Sequence, residues 1–525
     1  MKLCEKICFV CLVVFGFLLV LLGIVALTAI EGVINKVVLS RDHLGYENLN
    51  GTKRLNPMTE KWVHPEYDMQ VQIWMINLTN AADVLRGLKP KVQEIGPFTF
   101  IERQYKSPYQ FDKNDTRVFY RNNRVYFFNE SLSCGHCSLE QRVVIPNVVF
   151  QKLVDFALEQ GPPAKLAIEA VLAVYKRETP FIEVSVKEAL YDGYKDPLLD
   201  AVCGYSTFLR KLCDAAKIPE RIGFFYGQNN TDDGLYEVST GFNDVFNISK
   251  VFSFNNMSVM PESVWDSAYA REIRGTDGQL FSPMLDEGPG LEIFAGQMCR
   301  SIEMQFLRRS VVGDIAAFRY GLPVKMFDPS IPQNRGFCNR NGTPTFFNTS
   351  IQIPGCLPKG LLDIGRCLPG TPRIYISNSH FFGAAPEVIS SIQGMDMPSE
   401  ENDQTFVDVE PLSGVPIHAK RVTQINVGMS KGNLNVLSNM NNMIFPVLWM
   451  NETVYFDNGT RDQLSQLISA KHLVRVVGVA VLTVGILVWF AVTAVVAVRT
   501  LTKPRDDDDQ PILHEDVVEE EVGDI

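Results

Sequence analysis

The chain has 525 residues, a net charge of −11 and 46% hydrophobic side chains. Its acids crowd one end: residues 499–525 hold ten acidic and three basic side chains. There is no basic stripe or basic domain, which excludes a nucleic-acid partner.

In chain order, Ile7 to Ile30 is 24 residues without a charge. About 20 apolar residues cross the hydrocarbon core of a bilayer. The run is longer than a signal-peptide core of roughly 7–15 residues and lacks a small-x-small cleavage site, so it reads as an uncleaved anchor. Lys61 to Phe128 is strand-like. "YDMQVQIWMINLT" (67–79) alternates apolar and polar residues, and "TRVFYRNNRVYFFNE" carries Asn-Asn as a turn signal between two strands. The character changes at Pro146. Val149, Leu153, Phe156 and Ala157 fall on one helical face with Asn147 as a candidate N-cap. Gly161-Pro-Pro ends that helix, "AKLAIEAVLAVYKRE" (164–178) forms a second, and "VSVKEALYDGY" begins a third. Residues 147–217 are thus a helical insertion. From Arg221 the strand pattern returns, and "TFVDVEPLSGVPIHAKRVTQINVGM" (405–429) reads as two strands around a turn at Gly414. Val476 to Val498 is a second uncharged run, of 23 residues. The expected organisation is a short N-terminus (1–6), an anchor (7–30), an α+β ectodomain (31–475), a second anchor (476–498) and an acidic tail (499–525).

Asn-x-Ser/Thr occurs at Asn50, Asn77, Asn114, Asn129, Asn229, Asn247, Asn256, Asn341, Asn348, Asn451 and Asn458, all between the anchors. Such a set marks a lumenal or extracellular, glycosylated loop and places both termini in the cytosol. Eight of the eleven cysteines also lie in the loop: Cys134, Cys137, Cys203, Cys213, Cys299, Cys338, Cys356 and Cys367. An even number in the secretory pathway reads as disulfides.

Cys134-Gly-His-Cys137 has the spelling of a disulfide-exchange site. A catalytic pair needs a thioredoxin-like βαβ unit and a helix N-terminus that lowers the thiol pKa, and no such unit surrounds it. A structural bridge is the better reading. It is either local, Cys134 with Cys137 and Cys203 with Cys213, or crosses between the two sets. No Gly-x-Ser-x-Gly, His-Glu-x-x-His, phosphate-loop or zinc-finger spacing occurs, and the seven histidines are scattered. The expectation is a protein with no catalytic residues, no metal and no cofactor.

An ordered set of stretches resembles the class B scavenger receptor family, which includes fatty-acid translocases, lysosomal integral membrane proteins and sensory neuron membrane proteins. The set comprises "LKPKVQEIGPFTFIE" (88–102), "LYDGYKDPLL" (190–199), "GFFYGQNNTDDGLYEVSTG" (223–241), "MCRSIE" (298–303), "CLPKGLLDIGRC" (356–367), "IYISNSHFFGAAPEV" (374–388), "FVDVEPLSGVPIHAKR" (406–421) and "FPVLWMNE" (445–452).

The resemblance implies one large ectodomain on a distorted antiparallel β-barrel, with 147–217 as an apical helical bundle and a tunnel for apolar ligand. It implies bridges Cys299–Cys367 and Cys338–Cys356. A third family bridge is missing from both ends, at Gly336 and near Arg271. It further implies lipid or lipoprotein ligands and leaves self-association into a homo-oligomer open. Lys176 and Arg177 fall where ligand-binding members carry a basic pair, with Lys152 and Lys165 nearby as apical cations. Asp508, Ile512 and Leu513 have the acid-x-x-x-aliphatic-aliphatic form of the lysosomal members' sorting signal, which a clathrin adaptor reads. Cys4 and Cys8 sit where members carry acylated cysteines. The implied function is lipid binding and transfer or endocytic uptake, at the plasma membrane or the endosome–lysosome membrane. The rival is a lysosomal sorting receptor carrying a lumenal hydrolase.

Overall fold

The alternating stretch at 67–79 forms the first of eleven strands that build the core. They are β1 (Met69–Leu78), β2 (Val92–Phe111), β3 (Arg117–Phe128), β4 (Thr231–Ser239), β5 (Val251–Phe254) and β6 (Leu291–Ala295). Then follow β7 (Arg300–Val312), β8 (Ile315–Gly321), β9 (Phe406–Val409), β10 (Pro416–Met429) and β11 (Met443–Tyr455). The structure, a computed structural model, describes residues 3–41, 43–174, 180–205, 207–216 and 221–502.

The hydrogen-bonded order is β6-β7-β8-β9-β10-β11-β1-β2-β3-β4-β5, with every neighbouring pair antiparallel. The strands thus run round the sheet in chain order, and the last one pairs with the first, Trp449 opposite Trp74. The two edges are joined through Gly275 and Thr276. Val251 N–H donates to the Gly275 carbonyl over 2.9 Å, and Phe294 N–H to the Thr276 carbonyl over 2.8 Å. The result is a nearly closed antiparallel barrel. A short strand, Ile374–Ser377, pairs with β10 and with Leu362–Asp363.

The helical insertion stands on a two-stranded ribbon, Arg142–Pro146 against Phe181–Ser185. Asn147 caps the helix Val148–Glu159, its side-chain oxygen accepting from Phe150 N–H at 3.0 Å. Val149, Leu153 and Ala157 are buried, and Phe156 packs half-buried against the same core. Helices Pro162–Val174, Pro197–Tyr205 and Thr207–Ala216 follow.

Two local expectations are corrected. "VSVKEALYDGY" is helical only after its first two residues: Val184 and Ser185 belong to the ribbon, and residues 186–192 coil, with Glu188–Asp192 as a π-type turn. Backbone pairing to 142–146 holds the first part extended, and the Glu188 carboxylate accepts from Ser185 N–H at 2.9 Å. Nor do Asn122 and Asn123 turn the chain. They lie within β3 at a bulge, because Asn122 is buried and donates to the Gln104 side-chain oxygen at 2.9 Å. The turn falls earlier, where Asp112 accepts from Thr116 N–H at 2.7 Å. At Gly414, by contrast, the chain does reverse, with φ +71°.

The chain divides into two compact units, Val38–Ser465, which holds the barrel, and Met1–Val37 with Gln466–Ile525. Two helices of the chain are long and apolar enough to cross a bilayer, with spans Phe9–Ala29 and Asn458–Arg499. They fit a two-pass membrane protein. The later helix starts at Asn458, well before the uncharged run at Val476. The two helices touch backbone to backbone: a Cβ on Gly23 would stand 2.7 Å from the Leu482 backbone nitrogen. Small residues at such a crossing allow the close approach that membrane helices use.

Candidate functional site in the barrel interior

Alternation along β2 places Phe98, Phe100, Glu102 and Lys106 on one buried face, with Gln104 between them. Alternation therefore carries charged groups into the barrel. β3 contributes Tyr120, Asn122, Arg124 and Tyr126, β10 Ile417, Ala419 and Arg421, and β11 Met450 and Glu452.

These groups form a paired belt. Arg421 Nε and Nη2 both donate to the Glu452 carboxylate. Arg124 Nη2 donates to Asp233 at 3.3 Å, and its Nε lies 3.7 Å from Glu102. Gln104 donates to Glu102 at 2.6 Å. Burial raises the Glu102 carboxyl; Arg124, Arg421 and Gln104 pull it down, while Glu452 pushes it further up, and the net shift is upward. Burial would lower the Arg421 guanidinium, but Glu452 outweighs it and the net shift is upward.

Arg421 also stands apart in exposure. Its side chain is 47% exposed, whereas that of Glu452 is 5% exposed. Tyr126 and Tyr191, nearer the helical insertion, are each partly exposed.

One end of this interior has an aromatic lip. Tyr191, on the turn Glu188–Asp192, packs against Phe100, Tyr126 and Phe225 at ring-centre distances of 5.1, 5.4 and 5.5 Å. Two of the family-like stretches, 190–199 and 223–241, thus meet where the helical insertion joins the barrel. Elsewhere the interior is filled. Lys106 Nζ donates to the Trp62 carbonyl at 2.5 Å, Trp62 packs edge-on to Tyr120 at 4.7 Å, and Tyr120 donates to Asp277 at 2.6 Å. Burial pushes the Lys106 amine down to about 7, with Asp277 pulling it back up. An open cleft of about 390 Å³ on the outer face, lined by Pro108, Tyr109, Phe111, Phe119 and Leu235, is remote from this belt.

The site residues named from sequence lie elsewhere. The structure joins Cys299 to Cys367, Cys338 to Cys356, Cys134 to Cys137 and Cys203 to Cys213, with Cα–Cα distances of 6.2, 4.6, 5.1 and 5.9 Å. Turns, not a helix, follow Cys134 as far as the strand at Arg142, so the feature that activates a catalytic thiol is absent there. Where the third family bridge would lie, Gly336 packs directly on Ser267 and Ala270. None of the eleven sequon asparagines is buried. Asn77 accepts from Val144 N–H at 2.8 Å through its oxygen.

Lys152 reaches Thr371 at 3.4 Å and Lys165 pairs with Glu169 at 3.8 Å, each on its own partner. Lys176, Arg177, Asp508, Ile512 and Leu513 lie outside the described residues. Cys4 and Cys8 fall in the helix Leu3–Val25, but their side chains are outside the described set. Sequence reasoning missed Glu102, Arg124, Arg421 and Glu452. The available signal was polar residues at 102, 104 and 106 in phase with buried Phe98 and Phe100.

The family model described as "CD36 family" matches residues 7–496. Lysosome membrane protein 2 of Rattus norvegicus is 30% identical over 438 residues, 83% of this chain and 84% of that protein. Its Homo sapiens counterpart is 29% identical over 442 residues, covering 83% and 84%. Scavenger receptor class B member 1 of Bos taurus is 26% identical over 442 residues, covering 83% and 79%. The family match spans both apolar helices and the whole barrel between them: the chain belongs to the CD36 family.

Proposed function

We propose that the protein is a class B scavenger-type membrane receptor that binds lipids, lipoproteins or lipid-bearing particles. It passes lipid through the barrel interior or carries its cargo inward by endocytosis. The observation that carries this reading is Arg421, a charged side chain 47% exposed on a strand of the barrel of a CD36-family chain. A closed barrel can hold an apolar ligand where side chains leave room. The aromatic lip at Tyr191 and Phe225 offers such a ligand an apolar entrance. The Arg421–Glu452 pair offers a polar headgroup charge on the wall.

In this reading residues 7–30 and 476–498 span the membrane, residues 31–475 face the lumen or the outside, and both termini are cytosolic. Sequon asparagines, none of which is buried, support glycosylation of that loop. Acylation of Cys4 and Cys8 and adaptor binding through Asp508, Ile512 and Leu513 belong to the same proposal. The test is uptake of a fluorescent fatty acid by cells expressing Ala419→Trp, which fills the wall two residues from Arg421. Uptake should fall at least tenfold with surface amount and melting temperature kept. Normal uptake by a folded Ala419→Trp protein would overturn the tunnel reading.

A second reading is a lysosomal sorting receptor for a lumenal hydrolase. A relative named for the lysosome membrane at 30% identity and the Asp508-to-Leu513 signal favour it. Capture of lumenal proteins by the full-length receptor separates the readings, since co-purification of lipids alone sinks this one. Relocation of an Ile512→Ala/Leu513→Ala form from lysosomes to the cell surface tests the signal.

A further inference from the structure

Outside the barrel wall, four distant segments converge on one imidazole. His380 follows the strand Ile374–Ser377, Glu94 lies on β2, Asp396 follows the helix Pro386–Ile389, and Trp449 lies on β11, on the strand face opposite Glu452. His380 Nε2 is 3.3 Å from Glu94 Oε2. The donor atoms of Glu94, His380 and Asp396 all lie within 4.8 Å of one another. We propose that Glu94, His380 and Asp396 form a zinc site.

One of the three spacings, His380 Nε2 to Glu94 Oε2 at 3.3 Å, already matches the ion. Zinc bonds nitrogen and oxygen donors at about 2.0–2.2 Å in a tetrahedron, which sets neighbouring donors roughly 3.3–3.5 Å apart. The outer contacts fit as well. A zinc-bound histidine donates its other ring N–H to a carboxylate or carbonyl. Here His380 Nδ1 is 2.7 Å from Asp403 Oδ1. Asp403 is itself fixed by the Ser379 hydroxyl and by Ser399 N–H at 2.7 Å.

Glu94 is held by both oxygens. Oε1 accepts from Asp396 N–H at 2.9 Å and Oε2 from Trp449 Nε1 at 2.8 Å. His380 and Phe381 are consecutive non-glycine residues at φ +51° and +58°. Such left-handed conformations persist where the surroundings enforce them, and here they aim the imidazole between the carboxylates. His380 is buried and Asp396 exposed, which leaves the ion an access path and a fourth position for water. Three carboxylates surround one imidazole, an excess of negative charge that a divalent cation offsets.

The test uses full-length protein purified in detergent through a tag without histidine, stripped with chelator and titrated with zinc chloride at pH 7.5. One zinc per chain should bind by calorimetry and raise the melting temperature. Asp396→Asn, a surface change that leaves folding intact, should weaken binding at least tenfold. Asp403→Asn, which removes only the outer contact, should weaken it roughly 10–100-fold. Absence of stoichiometric zinc binding would leave an imidazolium clamped between carboxylates and overturn the proposal. So would zinc binding that survives both Asp396→Asn and His380→Gln, or a preference for calcium over zinc.

Discussion

Gly336 packs so closely on Ser267 that a Cβ placed on it would stand 1.9 Å from the Ser267 hydroxyl oxygen. Ser267 cannot easily move aside. Its oxygen caps the helix Ala268–Arg271, accepting from Ala270 N–H at 3.1 Å, while Asp266 N–H donates to the Gly336 carbonyl at 3.2 Å. Direct contact thus brings the two segments together. Gly336→Ala should therefore destabilise the ectodomain by about 1–3 kcal/mol through overpacking. A melting curve reads this, and an unchanged midpoint would show that Ser267 gives way freely.

Asp408 is fully buried and accepts from Arg319 at 2.8 and 2.7 Å and from Ser310 at 2.7 Å, with His418 Nδ1 at 3.1 Å. Burial alone would raise its carboxyl pKa, but the hydrogen bonds, led by that from Arg319, outweigh it and bring it down to about 2. A carboxylate depressed below its unfolded value of about 3.9 contributes stability that is present above that value and lost as pH falls toward 2. The contribution is on the order of 2–3 kcal/mol. Asp408→Asn should lower the melting temperature equally at pH 7 and pH 5, and the deficit should shrink only below about pH 4. A deficit already gone at pH 5 would contradict the assignment.

Lys106 reverses that sign. Its folded pKa of about 7 lies below the unfolded value of about 10.4, so the unfolded chain binds more protons and stability rises with pH between the two. At pH 5 the buried ammonium costs on the order of 4 kcal/mol. Lys106→Met should be more stable than the native chain at pH 5, with the advantage narrowing toward pH 10. Parallel pH-dependent melts of the two proteins decide it.

Arg421 and Glu452 should behave as a unit. Removing one partner of a buried pair leaves an uncompensated charge and costs about 3–5 kcal/mol. The 47% exposure of the Arg421 side chain softens the loss on the Glu452→Gln side. Arg421→Leu should therefore destabilise more than Glu452→Gln, and Arg421→Leu/Glu452→Leu should recover most of the loss. Additive losses in the double variant would show that the two side chains do not depend on each other.

Features confined to one segment were legible in the sequence. The helix Val148–Glu159 announced itself through Val149, Leu153 and Ala157 and through Asn147 at its start. Asn122-Asn123 misled for a tertiary reason: a buried partner, Gln104, holds them inside a strand. Neither the strand order nor the interior belt was legible. Alternation tells which face a residue takes, not which strand lies beside it, and pairing Arg421 with Glu452 needs the β10–β11 register. His380 looked like one of seven scattered histidines because its partner Glu94 lies 286 positions away.

The pairing of the last barrel strand with the first also has a consequence in time. Gln72 and Asn451 face each other across 379 residues of chain. At synthesis rates of about 5–20 residues per second, β1 emerges roughly 20–80 s before its partner. Throughout that interval its edge is unpaired and open to aggregation. The barrel cannot mature piece by piece from its N-terminus: its seam closes only when the final strand arrives.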